Sequence, residues 1–273
     1  WIGFFSSGLA RYDGSRLEVY DVADGLVDST VREIVEDRAG YLWVGCESGM
    51  VVSERPLADF RPGERIRFLE TVGETRLAGT RIRHGWVAAD PDGGVWVASA
   101  GVGLVHYQRD VDGGLSRRVV ALPRRAGGAS AVPACLTMRS GGELWLATED
   151  RGIHALPPGG ERLRLQPLAA QLPAVATALH EGPSGRMWVG CRDGSVWSAS
   201  SDGEQLAPVS RSSRERVGAI RETAGGELWV GTLGSGVLRL DPDRPGEARL
   251  LGRRQGLLSE TVWDLMEDRE HNL

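Results

Sequence analysis

The sequence predicts an all-β protein built from six copies of one small antiparallel sheet. A core that reads Leu-Trp-Val-Gly, or a close variant, recurs six times at intervals of 41 to 53 residues. A turn rich in Gly or Asp precedes each core after the first, and a second glycine follows each of the six. Self-similarity at such a period indicates a repeat architecture. The cores lie at Trp1, Trp43, Trp96, Trp145, Trp188 and Trp229.

The runs between the glycines predict the strands. They are short and rich in Val, Leu, Ile and Trp, as in residues 31–36, 41–46, 50–53 and 65–70. Runs of this length between turn residues are strands, and each repeat holds about four of them. A lone four-stranded sheet cannot bury both of its apolar faces, whereas a radial arrangement covers each face with a neighbouring sheet. We therefore predict one domain over residues 1–273, a six-bladed β-propeller of four-stranded antiparallel blades with the repeated Trp between blades.

The two ends of the chain carry parts of one repeat. Residues 256–273 resemble residues 25–45 but stop before Trp-Val-Gly, and the chain begins with Trp-Ile-Gly. We therefore expect a strand at 261–268 to join the N-terminal strands, so that the N- and C-termini share one blade. We also expect the chain to be an excerpt of a longer protein. Whether a neighbouring segment adds a seventh blade stays open.

Composition narrows the class of protein. The chain is 41% hydrophobic and 25% charged, as in a soluble globular protein. Its net charge of −5 argues against a nucleic-acid-binding surface, which needs a concentrated basic face. Three cysteines are an odd count and exclude a complete disulfide framework. We interpret Cys46 and Cys191, which occupy equivalent strand ends, as small buried residues.

The repeat, roughly Gly-Leu-x-x-x-Thr-Val-x-x-Ile-x-Glu-Asp followed by Gly-x-Leu-Trp-Val-Gly, resembles the two-component regulator propeller repeat. The best matches are 25–55, 217–241 and 256–273 continuing into 1–13. The resemblance implies a ligand-binding sensor region in the periplasmic, extracytoplasmic part of an inner-membrane signalling protein. Its output would be a histidine kinase or a diguanylate cyclase in the same chain, and a homodimer of the full-length protein is compatible with it. Such propellers often have seven blades, so six repeats depart from the family.

The chemistry-bearing residues predict no catalytic group, metal or cofactor. The five histidines fall in different repeats and share no spacing typical of metal ligands. The aspartate-rich segments 90–94, 110–114 and 241–246 lack the glutamate of a calcium loop and predict hairpin turns. A carboxylate that recurs at one position of several repeats is expected to accept hydrogen bonds from turn amides. These carboxylates are Glu36, Glu181, Glu222 and Glu267.

A ligand site is predicted where loops open on one side of the propeller. The loops that enter each first strand and those that follow Leu-Trp-Val-Gly fall on that side and differ between repeats, as recognition loops do. Guanidinium and indole groups there suit carboxylated or hydroxyl-rich ligands. In the alternative, the Trp rings pack between blades and the arginines pair with Glu33, Glu215 and Asp264. The predicted ligand-binding residues are Arg32, Arg83, His84, Trp86, Arg192, Arg216 and Trp263.

The sequence thus predicts a non-enzymatic sensor module that binds a small-molecule or saccharide ligand on its loop-bearing face. One alternative is a propeller lyase or hydrolase, which requires a His such as His84 or His180 and a carboxylate at the channel mouth. A second alternative is a protein–protein scaffold, which requires a large exposed apolar patch.

Overall fold

The computed structural model describes residues 1–61, 63–70, 82–83, 85–109, 114–125, 127–200, 205–211, 214–268, 270 and 272–273. The chain divides into two compact units, Trp1–Val132 and Pro133–Leu273. No α-helix occurs in the described ranges, and none of their helical segments is long and apolar enough to cross a membrane. The prediction of one domain over residues 1–273 stays a prediction.

The first unit contains three antiparallel sheets that follow one another along the chain. Sheet 1 contains β1 (Ile2–Gly3), β2 (Leu9–Tyr12) and β3 (Leu17–Tyr20). Sheet 2 contains β4 (Val31–Glu36), β5 (Leu42–Cys46), β6 (Gly49–Ser53) and β7 (Phe68–Glu70). Sheet 3 contains β8 (Val87–Ala89), β9 (Val95–Ser99), β10 (Gly103–Arg109) and β11 (Leu115–Val120).

The second unit also contains three antiparallel sheets, each of four strands. Sheet 4 contains β12 (Pro133–Met138), β13 (Leu144–Thr148), β14 (Ile153–Leu156) and β15 (Arg164–Leu165). Sheet 5 contains β16 (Ala176–Glu181), β17 (Met187–Cys191), β18 (Ser195–Ala199) and β19 (Leu206–Arg211). Sheet 6 contains β20 (Val217–Glu222), β21 (Leu228–Thr232), β22 (Val237–Asp241) and β23 (Arg244–Leu251). Short 3-10 turns occur at Val22–Asp24, Leu57–Asp59, Pro167–Gln171 and Arg253–Gln255.

The aspartate-rich segments form turns that join these strands. The Asp90 carboxylate accepts a hydrogen bond of 2.8 Å from the Asp92 amide, and Asp241 accepts the equivalent bond of 2.9 Å from Asp243. Aspartate stabilises a turn in this way because its short side chain reaches the amide two residues ahead. The hairpin-turn prediction is confirmed at both sites, whereas most of 110–114 lies outside the described residues.

The repeated Trp fills the space between its own sheet and the next sheet within the unit. Trp43, Trp145 and Trp188 are fully buried. Trp43 clusters with Val95 and Tyr107 of sheet 3, and Trp188 clusters with Val217 and Val230 of sheet 6. The prediction that this residue serves packing between blades is therefore confirmed for these repeats.

A carboxylate satisfies the buried indole N–H in several repeats. The Nε1–H groups of Trp43 and Trp96 donate to Asp37 and Asp90, each over 2.7 Å. Those of Trp145 and Trp188 donate to Glu143 and Glu222 at the same distance. Because a buried polar group without a partner costs about 1–3 kcal/mol, these pairs let a large ring with a polar edge occupy the core.

In the repeats of Trp1 and Trp188, the glycine that ends the core permits close approach of the next first strand. A Cβ added to Gly190 would lie 2.4 Å from a methyl group of Val217. A Cβ added to Gly3 would lie 2.7 Å from the corresponding methyl group of Val31, which begins the next sheet. Real Cβ atoms do not approach other carbons so closely, so these two contacts require glycine, whereas the cores at Trp96 and Trp145 carry Ala98 and Ala147 at this position.

The C-terminal segment lies against sheet 6 as a first strand lies against the sheet before it. The Val262 amide donates to Thr232 O over 2.8 Å, as the Val31 amide donates to Phe4 O. Val262 also takes the place of Val31 beside the repeat glycine, because a Cβ on Gly231 would lie 2.8 Å from it.

The shared blade is not seen as a four-stranded sheet. Sheet 1 has the order β1-β2-β3, and residues 262–268 adopt no strand conformation. The all-β class and the six sheets are confirmed. Joining of the two termini in one blade stays a prediction.

The Gly190→Ala variant tests the close approach of neighbouring sheets. Because the added methyl group must displace Val217, we expect the free energy of unfolding to fall by about 1–3 kcal/mol. Gly141→Ala is the matched control, since a Cβ on Gly141 meets no atom within 4 Å; we expect it to change stability by less than about 0.5 kcal/mol. Urea unfolding followed by circular dichroism measures both, and equal stability of the two variants would contradict the packing account.

Candidate functional site

The loops predicted to open on one side do meet in three sheets. In sheets 2, 5 and 6 the turn after the second strand lies beside the segment that enters the first strand. We call this edge of each sheet the loop-bearing end. The N–H to C=O pairs that join the two loops are Glu47 to Thr30, Arg192 to Val175 and Leu233 to Arg216, each 2.9 Å.

A β-bulge marks the loop-bearing end of four first strands. The pairing register shifts between Val31 and Glu33 in sheet 2 and at the equivalent points of sheets 4, 5 and 6. A bulged residue has no ladder partner, and its side chain is turned out of the regular alternation. The bulged residues are Arg32, Ala134, Thr177 and Gly218. Sheet 2 is therefore distinguished among the four by a large charged side chain at this point.

Arg32 forms a defined cluster with two loop residues. Its Nη2 donates to Glu47 Oε2 over 2.6 Å, and its guanidinium carbon lies 4.9 Å from the centre of the Phe5 ring. The Thr30 hydroxyl fixes the same loop by donating to Phe5 O over 2.9 Å. Arg32 thus pairs with Glu47, whereas the alternative expected Glu33 among the partners of the arginines.

The segment that enters β8 lies close to this cluster. The Ile82 amide donates to Glu47 O over 3.2 Å, and the Gly85 amide donates to Glu33 Oε2 over 2.6 Å. The Arg83 guanidinium lies 5.6 Å from the Trp86 ring, and Trp86 is only 3% exposed. Trp86 therefore presents little surface, and its contact with a ligand stays a prediction. His84 lies outside the described residues.

In the second unit, Arg192 at the loop-bearing end forms an ion pair with Glu149 of sheet 4. In the same loop of sheet 4, Arg151 has φ of 67°, the one non-glycine residue with positive φ among those described. Such a conformation costs about 1–2 kcal/mol for an L-residue. Strain of this kind occurs at functional sites.

Arg216 and Trp263 lie near sheet 6. The Arg216 carbonyl accepts the Leu233 amide, which holds the chain just before β20. Trp263 follows the docked Val262 and is 42% exposed. The indole is thus accessible in a segment that is held by its backbone.

In the first unit, the structure brings Arg32 and the segment that enters β8 to Glu47. Arg32 pairs with the Glu47 carboxylate, and the Ile82 amide donates to the Glu47 carbonyl. Arg192 pairs instead with Glu149 of sheet 4. Two shallow depressions, of about 480 and 190 Å³, are lined by none of the predicted residues. The first lies along β18 and β19, and the second is lined mainly by charged groups of sheet 1.

Sequence reasoning missed Phe5 and Glu149. Both occupy the position of Glu47 in the turn after a second strand, so an alignment of the repeats through their Trp residues would have found them. Phe5 is 53% exposed. It is a large aromatic side chain where the equivalent turns of sheets 2, 4 and 5 carry charged ones.

The recurring carboxylates join neighbouring sheets of the second unit. Glu181 accepts the Ser140 amide, and Glu267 accepts the Ala224 amide over 3.1 Å. Glu222 accepts the Ser184 hydroxyl over 2.9 Å in addition to the Trp188 indole. The prediction that these groups accept turn amides is confirmed for Glu181 and Glu267. A structural role accounts for all three.

Metal-binding and thiol chemistry receive no support from the described residues. No group of three or more His, Cys, Asp or Glu side chains is placed there to hold a metal ion. Cys46 and Cys191 are buried, as predicted. Burial raises the pKa of both thiols to about 11, so they stay protonated at neutral pH.

His180, named for the enzyme alternative, lies between sheets 5 and 6. Burial, together with the nearby Arg221 guanidinium, lowers the pKa of His180 to about 4. Glu181 and a backbone hydrogen bond with Glu222 oppose the shift. The imidazole is therefore neutral at pH 7, and a base with so low a pKa is a weak proton acceptor.

Comparison with known proteins finds one family whose model matches part of the chain. Residues 25–48 match the model of the two component regulator propeller family. The chain carries a two component regulator propeller repeat. The match covers the loop into β4, the bulge at Arg32, the Trp43 core and the turn at Glu47. No curated protein matches the sequence.

Comparison with solved structures shows the fold of the chain. The extracellular domain of a putative one component system from B. thetaiotaomicron is 19% identical, with a TM-score of 0.72 over 98% of this chain and 34% of that chain. A virginiamycin B lyase from Staphylococcus aureus is 15% identical, with a TM-score of 0.60 over 84% and 72%. The β-propeller domain of Cps50 (Swd1) from Myceliophteria thermophila is 14% identical, with a TM-score of 0.57 over 82% and 73%. The predicted β-propeller class is confirmed, and the chain spans about a third of the length of the B. thetaiotaomicron protein.

The depressed pKa of His180 predicts a loss of stability in acid. An unfolded histidine takes up a proton near pH 6.5, whereas folded His180 does so near pH 4. Stability is therefore lost as the pH falls from about 6.5 to about 4, and by pH 4.5 the loss should reach about 2–3 kcal/mol. Between pH 7.5 and pH 4.5, the free energy of unfolding measured in urea should therefore fall by about 2–3 kcal/mol less in His180→Leu than in the parent protein. Equal losses in both proteins would contradict this account.

Proposed function

We propose that the chain is the ligand-binding sensor propeller of a membrane-bound signal-transduction protein. It recognises a small polar or glycan-like ligand through its loop-bearing ends. Binding is passed to an output domain elsewhere in the same protein, a histidine kinase or a diguanylate cyclase. The propeller occupies the periplasmic side of an inner membrane, and the full-length protein acts as a homodimer.

The observation that carries this proposal is the regulator propeller repeat at residues 25–48. The likeness to an extracellular domain of a putative one component system is consistent with a position outside the cytoplasm. That domain is about three times as long as the region that matches this chain.

The loop-bearing ends also support recognition rather than catalysis. Their framework of glycine, Trp and turn carboxylates recurs between sheets, whereas Arg32, Arg83 and Arg192 occur in individual loops. Guanidinium groups at such points offer fork-shaped donors for carboxylates and hydroxyl groups. The likeness to a lyase is a likeness of fold, and function depends on the residues of the site.

A binding screen tests the proposal. The protein of residues 1–273 is titrated calorimetrically with neutral oligosaccharides, oligouronates, amino acids and short dicarboxylates. We expect saturable binding of at least one class, weakened at least tenfold, or about 1.4 kcal/mol, by Arg32→Ala or Arg192→Ala.

The matched control is Arg249→Ala, which removes an exposed arginine from the outermost strand of sheet 6. We expect it to leave the affinity unchanged. Absence of saturable binding in every class, or release of a reaction product detected by mass spectrometry, would contradict a sensor function.

A further inference from the structure

Phe5 presents an aromatic ring at the loop-bearing end of sheet 1. It lies in the turn between β1 and β2 and is 53% exposed. The equivalent positions of the next sheets carry Glu47 in sheet 2 and Arg192 in sheet 5. A single exposed apolar residue needs no explanation, so the argument depends on how this ring is held.

Hydrogen bonds within the turn and from the segment that enters β4 hold the turn that carries Phe5. Within the turn, the Phe4 amide donates to Gly8 O over 2.9 Å. The segment entering β4 supplies three further bonds of 2.8 to 2.9 Å: Gly8 N–H to Ser29 O, Val31 N–H to Phe4 O, and the Thr30 hydroxyl to Phe5 O. A turn whose backbone is fixed before a ligand arrives loses little conformational entropy on binding, which favours affinity.

The polar side of the cluster is equally fixed. The bulge directs Arg32 out of the sheet, and its guanidinium stacks on Phe5 at 4.9 Å while pairing with Glu47 at 2.6 Å. Both charged side chains are 28% exposed, so a ligand can reach them. At the equivalent bulge, sheets 4 and 6 carry Ala134 and Gly218, so this cluster is not part of the repeated framework.

We propose that Phe5, Arg32 and Glu47 form a binding subsite for a neutral, hydroxyl-rich ring such as one pyranose unit of an oligosaccharide. The inference deepens the proposed function and rests on it. The aromatic ring packs against the apolar C–H face of the sugar. Sugar hydroxyls both donate and accept hydrogen bonds, so they are matched by guanidinium N–H donors beside carboxylate acceptors.

Charge balance selects a neutral ligand over a carboxylated one. Arg32 already has an anionic partner in Glu47, so the pair carries no net charge. A ligand carboxylate would have to displace Glu47 or lie beside it, and like charges brought together at a binding surface cost affinity. The same site would discriminate against uronic acids while accepting neutral hexoses or pentoses.

Calorimetric titration with neutral hexaoses of glucose, mannose and xylose, and with hexagalacturonate, tests the subsite. We expect a neutral hexaose to bind with at least tenfold higher affinity than hexagalacturonate. Phe5→Ala should weaken that binding at least tenfold, whereas Phe5→Trp, which keeps an aromatic face, should stay within about threefold of the parent. Glu47→Gln, which removes the negative charge beside Arg32, should reduce the ratio of the affinity for the neutral hexaose to that for hexagalacturonate.

Tyr12→Ala is the matched control, because Tyr12 is an aromatic residue of the same sheet that is 58% exposed and lies on β2. It should leave the affinity unchanged, and thermal melting should show each variant to be folded. Preference for hexagalacturonate, failure of all three neutral hexaoses to bind, or neutral binding that Phe5→Ala does not weaken would overturn the subsite. The proposed function would survive each of these results if another ligand class of the wider screen bound saturably.

Discussion

Within each unit, the docking of a first strand on the preceding sheet is the contact on which the rest of the structure depends. A four-stranded sheet with two apolar faces is stable only when neighbours cover both. At the junction of sheets 5 and 6, three features make that contact: Gly190, Val217 seated against it, and Trp188, whose N–H donates to Glu222. The contact recurs from Gly3 with Val31 to Gly190 with Val217, although the chain between the two differs in loop length and charge.

The same contact positions the residues that can recognise a ligand. Docking brings the loop into the first strand beside the turn after the second strand, and a bulge frees one side chain at the junction. Ala134, Thr177 and Gly218, all smaller than Arg, occupy the bulges of the first strands in sheets 4, 5 and 6. Arg32 instead reaches two neighbouring loops and creates a local combination of aromatic, cationic and anionic groups. The docking residue Val31 and the recognition residue Arg32 are thus neighbours in β4. A substitution of Arg32 need not disturb the docking of the strand.

Much of the fold followed from the sequence because the period, the turn residues and the short apolar runs all predict strands. The roles of Trp43 and Glu181 followed as well, since a residue needed in every sheet serves packing. The site was less predictable. A bulge arises from the pairing between strands and does not change the alternation of apolar and polar residues in the sequence. The direction of the Arg32 side chain could therefore not be predicted from the sequence. Burial of Trp86 and His180 depends on the neighbouring sheet. The segment expected to be a strand at 261–268 docks on sheet 6 through the Val262 amide, but its residues 262–268 adopt no strand conformation.

Hydrogen–deuterium exchange of the C-terminal segment tests the docking contact most directly. The Val262 amide donates to Thr232 O, and the Gly236 amide donates to Glu260 O. The equivalent bonds of Val31 and Gly8 hold β4 on sheet 1. If docking of the first strand is the primary contact, the Val262 and Gly236 amides should exchange far more slowly than in an unfolded chain. Exchange of both amides at the unfolded-chain rate, with Val31 still protected, would contradict the account.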